Sequence, residues 1–372
     1  MVALLAPECL LACEARPFGA IRARSAILLE VGSAQELVSH EPTTPIAPAS
    51  LVKLMTVYLT FEAVKAGQVQ LKDEVVVSEA AWRMGGSQMF LQPGDRVPLR
   101  ELLRGVAIAG ANDAAVAVAE HLAGGIESFV AQMNRQAKKL ALRETVFRNP
   151  HGLPHPEQVT TARDMARLAA ALLRDYPEGA ALHAERSITY RGIRQYNRNR
   201  LLGRDRWVDG LRTGYLSEAG YHLVATARAE GRRLIAVVLG AASEQARAVL
   251  ALDLLRYGFG QFTIGTLFAS RSPLRRIPIW EGTEDTVTAV AAEAGTVSIP
   301  LGKTDAVKVT YDVAPSLVAP VEQGAVLGRA TITCEDRLLR EVDLVADRAV
   351  PQAWIGKRLL HRIWRVLSPG GK

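Results

Sequence analysis

Near residue 260 the hydrophobic pattern of this chain changes its period, and that change restricts the fold more than any other feature. Upstream, apolar residues recur at helical spacing over 51–66, 99–142 and 162–174, bracketed by strand-like runs at 25–30, 221–228 and 232–240. Downstream, Val307, Val309, Tyr311 and Val313 alternate with other residues, as do Ala330, Ile332 and Cys334. A strand turns every second side chain to one face and a helix every third or fourth, so one layer pattern does not continue through the change. The 372 residues therefore read as an α/β domain over 16–262, with early and late strands around a helical middle, and a small all-β domain over 263–350.

Local signals sharpen this. A turn at Gly32-Ser33 folds the first strand into a hairpin with 36–39. Pro48 suits the first turn of a helix that Gly67 stops, and Gly124-Gly125 separates two helices. Thr161 and Ser243 read as helix N-caps, and Glu230-Gly231 as a tight hairpin turn.

The two ends differ in kind from the middle. Residues 1–15 read as an export signal without a basic leading segment: a short apolar stretch, then Cys13-Glu14-Ala15 with small residues where a signal peptidase reads. Leu10-Leu11-Ala12-Cys13 also resembles a lipobox. Loss of that segment would leave Cys334 with no partner in its own chain. At the other end, no acidic residue follows Asp347, whereas Lys357, Arg358, Arg362, Arg365 and Lys372 are basic. Much of the net charge of +7 is thus a tail, which argues against a nucleic-acid binder with basic residues spread over a folded face. On a helical wheel Ile355, Leu359, Leu360, Ile363, Val366 and Leu367 share one face, and Lys357, Arg358, His361, Arg362 and Arg365 the opposite one. Residues 351–372 are expected to form a basic amphipathic helix suited to an anionic membrane surface; docking on its own domain is the alternative.

Three short constellations carry the chemistry. In Pro48-Ala49-Ser50-Leu51-Val52-Lys53, positions i and i+3 share a helix face, so the Lys53 amine reaches the Ser50 hydroxyl. A serine alcohol is a weak nucleophile, and a desolvated lysine is a base able to activate it. In Leu211-Arg212-Thr213-Gly214, Arg212 and Thr213 can hold a carboxylate, while Gly214 lets a peptide lie against a strand edge. In Ala109-Gly110-Ala111-Asn112-Asp113, the Asn112 amide can orient the lysine and a substrate carbonyl. Taken singly, each also reads blandly, as a chance spacing, an exposed turn and a helix cap.

Together, in this order, they resemble the penicillin-recognising enzymes, whose motifs are Ser-x-x-Lys, Ser-x-Asn and Lys-Thr-Gly. The resemblance to the D-alanyl-D-alanine carboxypeptidases extends through Gly86-Ser87-Gln88-Met89-Phe90-Leu91, Asn149-Pro150-His151-Gly152-Leu153, Thr161-Ala162-Arg163-Asp164-Met165 and Arg194-Gln195-Tyr196-Asn197-Arg198-Asn199. It implies a β-lactamase/transpeptidase-like domain, an antiparallel sheet with a helical cluster, followed by the all-β domain and an anchor helix. It implies further that Ser50 is acylated, that Lys53 is the base, and that Asn112 completes the centre. Arg212, Thr213 and Gly214, with Arg198, would bind the substrate. The expected partners are a peptidoglycan peptide ending in D-Ala-D-Ala, β-lactams as covalent ligands, and the membrane surface, with no cofactor, no metal and no nucleic acid. The expected location is the periplasmic face of the cytoplasmic membrane, reached by export.

Two departures stand out. Arg212 replaces the usual lysine, keeping charge but giving up any proton transfer there. Gly110 stands where the family has a serine that relays a proton, so a slowed enzyme is expected, sped up by Gly110→Ser. A non-catalytic wall-binding protein is the competing reading. A β-lactamase would need a deacylating glutamate, and 149–161 offers only Glu157 among its carboxylates. His151 and His155 are four apart, but Gly152 and Pro154 oppose the helix that would align them on a metal.

Overall fold

A computed structural model describes residues 18–367, with side chains as far as His361; the export signal expected at 1–15 lies outside the described residues. Phe18–Phe259 form one compact unit, and a second is built from Gly260 onward.

In the first unit β1 (Ser25–Glu30) and β2 (Gln35–His40) form the opening hairpin, and a 3-10 turn at Ala49–Val52 runs into α1 (Lys53–Lys65). There follow β3 (Glu74–Val76), α2 (Glu79–Trp82), β4 (Arg96–Pro98), α3 (Leu99–Arg104), α4 (Asn112–Ala123), α5 (Ile126–Lys139), α6 (Ala162–Asp175) and α7 (Pro177–Ala181). A small hairpin, β5 (Ser187–Tyr190) with β6 (Ile193–Tyr196), precedes β7 (Val208–Leu216), β8 (Gly220–Ala229), β9 (Arg232–Ala241) and α8 (Glu244–Gln261). The main sheet is antiparallel throughout, in the order β2-β1-β9-β8-β7, which leaves β7 at an edge.

Strand periodicity explains the layers. Ile27, Leu29, Val224, Ile235, Val237 and Leu239 face the helical cluster. Their neighbours Ala26, Leu28, Leu223, Ala225, Leu234 and Val238 pack with Leu254 and Leu255 of α8 on the other side. Such strands are buried on both faces, which is why they read as continuous apolar runs. α1 lies inside the cluster, buried around most of its circumference from Lys53 to Phe61. The two expected caps are present: Thr161 Oγ1 accepts from Asp164 N at 3.2 Å and Ser243 Oγ from Ala246 N at 3.0 Å.

The structure departs from the sequence expectation in two places near the site. The stretch 99–142 is not simply two helices: α3 continues into a π-helical turn, Gly105–Ala109, that ends at Gly110 with φ 78°. Every residue of that turn is buried, so apolar spacing gave no sign of it. The Arg212-Thr213-Gly214 run is not the exposed turn of the bland reading but lies inside β7.

In the second unit β10 (Phe262–Thr266) pairs with β13 (Thr296–Pro300). A six-stranded sheet contains β11 (Pro273–Trp280), β12 (Thr286–Ala291), β14 (Val307–Val313), β15 (Leu317–Val318), β16 (Val326–Cys334) and β17 (Arg337–Ala346), in the order β14-β16-β17-β12-β11-β15. Its core is aliphatic, with Ile277, Val287, Ile332, Val342 and Leu344 inside. Cys334 is buried, with its Sγ 3.8 Å from Lys303 O. The chain then enters α9 (Ile355–Leu367). Lys357 Nζ lies 2.8 Å from Asp285, Arg358 Nε 3.4 Å from Glu281, and Glu281 N donates to His361 Nδ1 at 2.9 Å. Trp354, Ile355, Leu359 and Leu360 remain exposed. Among the described residues no single helix is long and apolar enough to cross a membrane.

Candidate active site

The 3-10 turn at Ala49–Val52 decides where the nucleophile stands. With three residues per turn, i and i+3 eclipse, and Lys53 Nζ comes to 3.2 Å from Ser50 Oγ. Lys53 is fully buried, and its Nζ also meets Asn112 Oδ1 at 2.7 Å and the His151 carbonyl. Burial, then the charges of Arg212 and Arg198, hold Lys53 well below the usual lysine range, against a smaller opposing effect of Asp113.

Two loops hold that lysine. Asn112 begins α4; its Nδ2 donates to Gly85 O at 2.7 Å and its backbone N to Ser87 O at 2.6 Å. The neighbouring Asp113 carboxylate accepts from Met89 N at 3.0 Å and Leu91 N at 3.2 Å, which fixes the Gly-Ser-Gln-Met-Phe-Leu loop. On the other side Asn149 Oδ1 accepts from Gly152 N at 2.6 Å, and Thr56 Oγ1 donates to Pro150 O at 2.8 Å. Gly152 has φ +87°, and a Cβ there would collide with the Ala49 carbonyl. Only glycine lets the His151 carbonyl come so close to the Ser50 turn.

The third wall is β7. A Cβ on Gly214 would lie 3.1 Å from Ala49 Cβ and 3.2 Å from Pro48 O, so the bare strand packs on the serine turn. Arg212 runs inward: its Nη1 donates to Val106 O at 2.8 Å and Ala107 O at 3.0 Å, and its Nε to Ser50 O at 3.2 Å. Burial, then Arg198, lowers Arg212 to about 9, so it is a cation at neutral pH. Arg247 of α8 donates through Nη1 to Gly214 O at 3.0 Å and pairs with Glu244 at 3.2 Å. His222 is pushed by burial to about 4, and its neutral ring donates from Nε2 to Ala47 O while Nδ1 accepts from Gly240 N, both at 3.0 Å.

A cleft of about 450 Å³ opens between these walls. Ser50, Asn112, Arg198, Arg212, Thr213 and Gly214 all border it, and Lys53 stands behind Ser50. Sequence reasoning gave no role to Arg247 or the His151 carbonyl, which the fold adds to the same cleft or its base. Arg247 carries no motif, and a backbone carbonyl has no letter in the sequence. His151 was read as a loop residue; burial, then Lys53, holds its ring at about 4. The expectation that a serine at 110 simply restores a missing group needs correction: Gly110 has φ +78°, and a Cβ there lands on Arg212 Nη2.

Comparison with known proteins identifies the family. The sequence model of the D-alanyl-D-alanine carboxypeptidase family matches residues 12–243, and that of the penicillin-binding protein 5 C-terminal domain matches residues 262–352. The chain is 39% identical over 369 residues to D-alanyl-D-alanine carboxypeptidase DacC of Escherichia coli K12, covering 97% of this chain and 91% of that one. It is 36% identical to DacA of Haemophilus influenzae, over 94% and 90% of the two chains. The crystal structure of penicillin binding protein 5 from Haemophilus influenzae superposes with a TM-score of 0.87 at 34% identity, covering 91% of this chain and 100% of that one. Penicillin-binding protein D2 from Listeria monocytogenes, in its ampicillin-bound form, matches with a TM-score of 0.60 at 29% identity, over 65% of this chain and 100% of that one. The chain belongs to the D-alanyl-D-alanine carboxypeptidase family.

Proposed function

We propose that this protein is a serine-type carboxypeptidase that removes the terminal D-alanine from peptidoglycan peptides ending in D-Ala-D-Ala. The observation that carries the reading is the environment of Lys53 Nζ. A neutral amine has two N–H bonds and one lone pair. With Asn112 Oδ1 and the His151 carbonyl taking the two N–H bonds, the lone pair is left for the Ser50 hydroxyl.

Lys53 takes the Ser50 proton as Oγ bonds to the penultimate D-alanine carbonyl carbon. The tetrahedral oxyanion is held by backbone amides, that of Ser50 among them. As the C–N bond breaks, the leaving nitrogen takes the proton from Lys53 Nζ and free D-alanine departs, leaving an ester on Ser50 and a neutral amine. Water then attacks the ester, its proton passes to Lys53, and Ser50 Oγ leaves with that proton. The substrate backbone lies along the edge of β7, and its carboxylate meets the hydroxyl of Thr213 and the charges of Arg198 and Arg247. A β-lactam acylates the same oxygen, in line with the ampicillin-bound form of the Listeria relative. Export places the enzyme at the wall, and α9 rests on the anionic membrane surface. The exposed Trp354, Ile355, Leu359 and Leu360 support that contact.

D-alanine release from a pentapeptide, followed for wild type and Ser50→Ala, tests the reading; equal release from both overturns it. Gly110 favours a second reading, a penicillin-acylated wall binder without turnover. Acylation in wild type with no release of D-alanine would favour it.

A further inference from the structure

We propose that Gly110 and Arg212 are one co-adapted unit, in which the guanidinium occupies the place of the side chain residue 110 lacks and positions the Ser50–Lys53 pair. The inference deepens the reading above and rests on it for its catalytic half. Gly110 closes the π-helical turn with φ +78°, and a Cβ built on it falls on Arg212 Nη2, 3.4 Å from Cζ and 3.5 Å from Nη1. The same guanidinium ties that turn to the nucleophile, through Nη1 to Val106 O and Ala107 O and through Nε to Ser50 O. One planar group therefore spans β7, the turn that delivers Asn112, and the turn that delivers Ser50. A lysine ammonium has a single nitrogen and cannot make that span. Glycine at 110 and arginine at 212 thus require each other: a side chain at 110 evicts the guanidinium, and a shorter cation at 212 leaves a gap over Gly110.

The pair also changes proton traffic. Glycine offers no hydroxyl, and a guanidinium donates hydrogen bonds but accepts none. The proton that Lys53 takes from Ser50 therefore passes from Nζ to the leaving nitrogen with neither residue 110 nor residue 212 as an intermediate acceptor. Arg212 contributes a fixed charge beside Lys53, which favours the neutral amine.

A double-mutant cycle tests this: wild type, Gly110→Ser, Arg212→Lys, and both together, with acylation rate by a fluorescent penicillin and thermal midpoint measured for each. Gly110→Ser is expected to cost about tenfold or more in acylation on the wild-type background, but under about threefold in the Arg212→Lys background. The midpoint should fall in the same non-additive way. Losses that multiply in the double variant overturn the pairing. The midpoint cycle needs no substrate, so it reads the packing even if wild type is never acylated, an outcome that would sink the functional reading instead. For the positioning role, Arg212→Met should move the acid limb of the acylation–pH profile to higher pH, because Lys53 loses a neighbouring cation. Arg212→Lys should leave that limb in place. A Met variant slowed equally at every pH overturns the positioning role.

Discussion

The two units of this protein bury different things. Within 18–259 the interior holds Lys53, Asn112, Asp113, Asp164, His183, Arg212 and His222 among the aliphatic side chains. From Gly260 onward, Glu281 and Ser298 are the buried polar side chains among the described residues, and Ile, Val, Leu, Ala, Phe268 and Cys334 make up the apolar core. Ion pairs of the second unit, such as Arg329 with Glu341 at 3.1 Å, sit at the surface. Burying a charge is costly unless hydrogen bonds offset it, so the hydrogen-bonded polar groups around Lys53, Asn112, Asp113 and Arg212 mark the place where chemistry is done. The β unit carries no such mark. Among the described residues its buried acid is Glu281, which meets Arg358 of α9 at 3.4 Å.

The contrast can be broken by substitution. Lys53→Met removes the base while keeping the volume of a buried chain, and acylation should fall by about 10²–10⁴-fold, read as fluorescent penicillin bound over time. In the second unit, Ile332→Ala removes side-chain atoms from an aliphatic core and should cost about 2–5 kcal/mol of that unit's stability in chemical denaturation. The same variant should acylate at the wild-type rate under native conditions; a large loss would mean that the β unit contributes to the site.

Much of this contrast was legible in the sequence. Ser50 and Lys53 stand out in company with the Asn112 and Arg212 motifs, and the two units by the change of hydrophobic period. What escaped were features without a period. The π-helical turn at Gly105–Ala109 is all buried, so no amphipathic signal distinguishes it from α3. The inward path of Arg212 depends on three carbonyls brought together by folding, whereas the sequence pointed only to a cation near a carboxylate. The α9 wheel gave no sign that Lys357 and Arg358 turn toward Asp285 and Glu281, acids more than seventy residues away.

Smaller effects sharpen the comparison. His151 and His222 are held at about 4 and His183 at about 3, all mainly by burial, below the ordinary 6.5. Their folded-state values are depressed, so the stability they carry is fully present above pH 6.5 and is lost as pH falls through about 4. The thermal midpoint of the first unit should drop across that window, and His222→Gln should flatten the drop. A midpoint independent of pH from 7 to 4 would count against neutral buried histidines. The smallest effect is expected from Asp285→Asn, whose exposed pair with Lys357 should leave the melting of the second unit essentially unchanged.

The central claim is that a buried amine makes one hydroxyl reactive, and intact-protein mass spectrometry after exposure to penicillin reads it directly. The account predicts one covalent adduct on wild type, mapped to Ser50 by peptide digestion and absent from Ser50→Ala. An adduct that survives in Ser50→Ala, or maps to any other residue, would contradict it.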